Sequence, residues 1–84
     1  MNFVMKLTKE ESLRIIKFYQ DYVSDSKNES VLFFAKTEFV AVTVYSSYKV
    51  MFQGEDALAE YKMWVAMLNY TEDKIVKEPS TTSK

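Results

Sequence analysis

Lys6, Lys36 and Lys49, set among aromatic, hydroxyl and amide side chains, are the residues of this 84-residue chain best suited to chemistry with a ligand. Lysines pair with phosphate groups, Thr43 and Gln53 carry donors for phosphate or sugar oxygens, and Phe34 and Tyr45 offer rings for packing on sugars or bases. Catalytic chemistry has far less to work with. Having no Cys and no His, the chain lacks thiolate nucleophiles, thiolate zinc sites, and the commonest general base and metal ligand. The neighbouring acids Glu10-Glu11 and Glu55-Asp56 stand where helices begin, so capping and the helix dipole account for both pairs. Gly54 is the single glycine, whereas a phosphate loop needs several glycines or a Gly-Lys-Ser/Thr ending. Tyr61 and Trp64 fall at helical spacing and read as core. No catalytic site, metal or cofactor is expected.

The elements that must position these residues follow from periodicity. In residues 2–7, Phe3, Met5 and Leu7 alternate with Asn2, Val4 and Lys6, the period-two pattern of a strand with one buried side. Thr8-Lys9-Glu10-Glu11 then has the spacing of a capping box and starts a helix. Its stripe of Leu13, Ile15, Ile16, Phe18, Tyr19, Tyr22 and Val23 predicts an end near residue 23, where the polar stretch 24–30 begins. Residues 31–53 are rich in Val, Phe, Tyr and Thr and contain neither Pro nor Gly, which predicts strands over 31–37, 39–45 and 48–53. A second helix follows Glu55-Asp56, with Ala57, Leu58, Tyr61, Trp64, Val65 and Leu68 at helical spacing, and runs to about residue 69. The order β-α-β-β-β-α predicts an α+β domain over residues 1–70: a mostly antiparallel four-stranded sheet with both helices on one side. Residues 71–84, polar and holding the sole proline, read as a tail or linker.

Such a sheet has one covered and one open face. Alternation sends Phe3, Met5, Leu7, Val31, Phe33, Ala35, Val40, Val42, Val44, Val50 and Phe52 toward the helices. The open face then holds Val4, Lys6, Leu32, Phe34, Lys36, Ala41, Thr43, Tyr45, Lys49, Met51 and Gln53, without a single acid. A local basic surface thus survives a net charge of −1, because all 12 acids go to helices, loops and tail. A solvated face carries Lys, Thr, Tyr and Gln with no ligand at all. The apolar members Val4, Leu32, Phe34, Ala41 and Met51 go beyond that and call for a cover, whether nucleic acid, a second copy in a homodimer or another protein. No stretch has the length and apolarity of a membrane span, and a domain of this size without Cys is compatible with the cytoplasm.

The runs Phe34-Ala35-Lys36-Thr37, Val42-Thr43-Val44-Tyr45 and Lys49-Val50-Met51-Phe52-Gln53-Gly54 also carry a resemblance. In order and spacing they are similar to the amino-terminal domain of bacterial ribonuclease HIII, over most of the chain. That resemblance implies a domain like one half of the TATA-box-binding protein, with a curved sheet. It further implies that the domain engages an RNA/DNA hybrid and raises substrate affinity for a ribonuclease H domain joined at its carboxyl end. Lys36, Thr43, Tyr45, Lys49 and Gln53 match the family pattern. Phe34 stands where the family often has a smaller polar residue, and Ser46-Ser47-Tyr48 replaces a turn that usually contains Lys and Gly.

Overall fold

In the computed structural model, residues 2–26 and 28–70 are described. β1 (Asn2–Lys6), α1 (Lys9–Tyr19), β2 (Val31–Lys36), β3 (Ala41–Tyr45), β4 (Lys49–Gln53) and α2 (Ala57–Met67) follow one another in the predicted order. The strands form one sheet in the order β1-β4-β3-β2, every neighbour antiparallel. The expected tail over 71–84 lies outside the described residues.

α1 begins where the capping box predicts. The Glu11 N–H donates to Thr8 Oγ1 at 3.1 Å and the Thr8 N–H donates to Glu11 Oε1 at 3.0 Å, so two orphan amides of the first turn are satisfied. The helix stops earlier than expected. After Tyr19 the chain tightens into a 3₁₀ turn, Gln20–Tyr22, and Val23 leaves the helix to bridge Ala35 beside β2. The buried stripe is correspondingly narrow, with Ser12, Ile15 and Tyr19 inside, while Leu13, Phe18, Tyr22 and Val23 are exposed. α2 also ends short of 69, in a left-handed Asn69 at φ 54°. The Asn69 N–H donates to the Ala66 carbonyl at 3.3 Å and the Tyr70 N–H to the Val65 carbonyl at 2.9 Å, the paired bonds of a Schellman end. At its start Asp56 occupies the cap position without a side-chain cap bond, contrary to the role expected of it. Its backbone N–H donates instead to the Phe39 carbonyl at 3.1 Å, tying α2 to the turn before β3.

Met5, Val42, Val44, Val50 and Phe52 are fully buried on the face toward the helices, together with Ile15 and Trp64. Trp64 joins the two helices: its Nε1–H donates to Tyr19 Oη at 2.9 Å, and the Tyr19 hydroxyl donates in turn to Glu60. Phe18 meets the Trp64 ring edge-on at 5.1 Å, and Tyr61 stacks on Phe3 at 5.2 Å. Both Tyr61 and Trp64 therefore serve the core.

One core residue is misplaced by simple alternation. The β2–β3 register shifts between Val31 and Phe33, so Phe33 faces Val44 but Val31 faces Tyr45 of the open side. The extra residue is Leu32, and beyond it Val31 leaves the buried row. Gly54 has φ +116°, and a Cβ there would lie 2.5 Å from the Phe39 carbonyl oxygen, so only glycine closes β4 at this point.

Candidate nucleic-acid interface

The strand register lays the open face out in rows. Lys36, Ala41, Gln53 and Asn2 cross the sheet at one end; Phe34, Thr43, Met51 and Val4 form the next row; at the other end Tyr45 lies near Lys49, which stands opposite Lys6. All seven predicted site residues, Lys6, Phe34, Lys36, Thr43, Tyr45, Lys49 and Gln53, fall on this one face. The cations occupy diagonal corners. With strands about 4.8 Å apart and a rise of about 3.3 Å per residue, Lys36 and Lys6 are separated by about 20 Å across the face, enough to meet different phosphates of one ligand.

Exposure differs along these rows. Lys6, Lys36 and Lys49 are exposed, Phe34, Tyr45, Met51 and Gln53 are half-buried, and Thr43 is only 6 % exposed. The Thr43 methyl and hydroxyl thus sit at the floor between Phe34 and Met51, less available to a ligand than the sequence suggests. Val4 and Leu32, at 43 % and 54 % exposed, leave apolar surface in water. Asn2 is the residue that the sequence reading passed over: it pairs with Gln53 and adds a second amide to the face. The alternation of β1 already contained that signal.

Among the described residues no acid lies within a strand, and the carboxylates belong to helices, turns and loops. Among these residues, too, no three His, Cys, Asp or Glu side chains group as a metal site would require. Two hydroxyls lie away from the face with their titration displaced. Burial, and then the hydrogen bond to Glu60, push the Tyr19 hydroxyl well above the ordinary 10.0. The Tyr70 hydroxyl is raised by burial against the opposing effect of the Lys6 N–H, which donates to it at 2.9 Å. Both belong to the scaffold.

Fold and face together define a small α+β domain with helices behind a curved sheet and, among the described residues, an open surface whose strands carry no acid. The model of a domain of unknown function, DUF3378, matches residues 2–77, and the chain belongs to that family. Ribonuclease HIII of Lactococcus lactis subsp. cremoris is 42% identical over 57 residues, covering 68% of this chain and 20% of the relative. That of Bacillus pumilus is 34% identical over 79 residues, covering 94% of this chain and 25% of the relative. Among solved structures, Bst-RNase HIII in complex with Mn2+ superposes with a TM-score of 0.70 at 30% identity, covering 79% of this chain and 21% of the other. Aquifex aeolicus RNase H3, at 19% identity and a TM-score of 0.64 over 86% of this chain and 28% of the other, shares the fold. The chain is an amino-terminal domain of the ribonuclease HIII type, and it spans about a fifth to a quarter of the length of these curated relatives.

Proposed function

We propose that this domain is a non-catalytic nucleic-acid-binding module that holds an RNA/DNA hybrid on its open sheet face, in the cytoplasm, for a ribonuclease H-type domain. The observation that carries the reading is the face itself: lysines at diagonal corners, an apolar and aromatic row between them, amides at one end and no acid. Lys6, Lys36 and Lys49 contact phosphates, Asn2 and Gln53 donate to phosphate or sugar oxygens, and Phe34, Tyr45 and Met51 pack on sugars. Contacts to the backbone and sugars suit a domain that must accept any base sequence.

Fluorescence anisotropy of a labelled hybrid at two salt concentrations tests this. Three lysine–phosphate contacts give a slope of log affinity against log salt near about −2.7, taking the duplex-DNA relation as a guide. Absence of binding at low salt overturns the reading. In that case the exposed apolar surface at Val4 and Leu32 favours a second copy as the cover, and sedimentation would find a dimer indifferent to salt.

A further inference from the structure

Three observations converge on the turn between β3 and β4. Lys6 and Lys49 are direct cross-strand partners. Like charges so placed repel, and an anion held near both would turn that cost into attraction. Beside them lies a hollow of about 420 Å³ lined by Ser30, Tyr45, Ser46, Ser47 and Lys49. It offers hydroxyls and an ammonium group, and no carboxylate is among these residues. The bonds that hold the turn use backbone groups: the Ser46 N–H donates to the Ser30 carbonyl at 2.7 Å and the Tyr48 N–H to the Tyr45 carbonyl at 2.8 Å. The hydroxyls are therefore not consumed in building it. Finally, Tyr48 has φ 71°, a left-handed conformation that glycine adopts without strain and an aromatic residue does not. Tyr48 is half-buried and lies outside the core cluster.

Building on the nucleic-acid reading of the open face, we propose that this turn is a phosphate-anchoring site. Lys49 and Lys6 supply the positive charge, the hydroxyls of Ser30, Ser46, Ser47 and Tyr45 supply hydrogen bonds, and Tyr48 packs on the sugar that carries the phosphate. A left-handed backbone at a residue outside the core cluster is the kind of strain that a binding function retains. A backbone phosphodiester and a terminal phosphate share the chemistry that this site recognises.

Two measurements on the full chain test the site. Inorganic phosphate titrated into the protein should shift the amide resonances of Ser46, Ser47 and Lys49 selectively; uniform shifts, or none, overturn the anchor. In hybrid binding, the double change Ser46→Ala and Ser47→Ala should weaken affinity roughly three- to tenfold at an unchanged salt slope, since neutral groups release no counterions. Lys49→Ala should instead flatten the slope by about 0.9. Tyr48→Gly should weaken binding while circular dichroism shows the fold retained, since glycine adopts the left-handed backbone without strain. Wild-type binding that the serine and Tyr48 changes leave untouched overturns the anchor and leaves the proposed function standing. Selective phosphate shifts without hybrid binding support the anchor and overturn the hybrid as its ligand. A terminal phosphate that raises affinity only while the serines are present assigns the hollow to a strand end; equal affinity with and without it assigns the backbone.

Discussion

The two faces of one sheet obey different rules. On the covered face Met5, Val42, Val44, Val50 and Phe52 admit no water, and their identities follow from burial alone. On the other face, residues of the same strands range from the 6 % exposure of Thr43 to the exposed lysines, and packing does not dictate their identities. The covered face therefore reports stability, and the open face is where the proposed contacts fall. A substitution should move one property and spare the other.

The sharpest contrast is between neighbours on β4. Phe52→Ala should cost about 3–5 kcal/mol of folding free energy in urea denaturation, while Met51→Ala, on the open side, should cost about 1 kcal/mol or less. Equal losses would mean that the open face is a second core. Gly54→Ala should cost about 2 kcal/mol or more, since the new methyl group meets the Phe39 carbonyl and the backbone stays at φ +116°. Tyr19→Phe leaves the Trp64 N–H and Glu60 without their shared partner and should cost about 1–3 kcal/mol. The hydroxyls of Tyr19 and Tyr70 also set a pH limit. Both titrate higher in the folded chain than the ordinary 10.0, so the unfolded chain loses these protons first as pH rises. Their stabilising effect is complete below pH 10 and declines above it; a urea midpoint that falls between pH 9 and pH 11, and falls less in Tyr19→Phe, checks this. The smallest effect on folding is the most informative about function. Lys36→Ala should leave stability within about 0.5 kcal/mol but flatten the salt dependence of hybrid binding by about 0.9, and unchanged affinity would remove Lys36 from the interface.

Legibility followed the same division. Strand alternation and the Thr8–Glu11 capping spacing predict the four strands, the first helix start and the sheet faces apart from Val31, because burial and unsatisfied amides act locally; β3 starts at Ala41, two residues later than the expected 39. The bulge at Leu32 was not readable: alternation carries no signal for one inserted residue when Val31, Leu32 and Phe33 are all apolar. Nor was the early end of α1, since Tyr22 and Val23 extend the apolar period while tertiary pairing with β2 draws the chain away. Asp56 has the residue type of a cap, yet its N–H is drawn to Phe39 by the turn that Gly54 permits. On the open face the sequence named seven residues together but not their depth, which is how Thr43 came to look accessible.

The sheet's two borders bear on how the domain behaves in crowded solution. On β2 the Ser24 N–H donates to the Phe34 carbonyl at 2.7 Å beside the Val23 bridge, and on β1 the Tyr70 hydroxyl accepts from the Lys6 N–H. Each outer strand thus has part of its outward backbone already engaged, which shortens the ladder that a neighbouring polypeptide could extend. Growth of the sheet sideways into fibres or swapped assemblies is discouraged at both rims. The apolar surface in front, at Val4 and Leu32, is thereby set beside edges that offer less backbone for pairing.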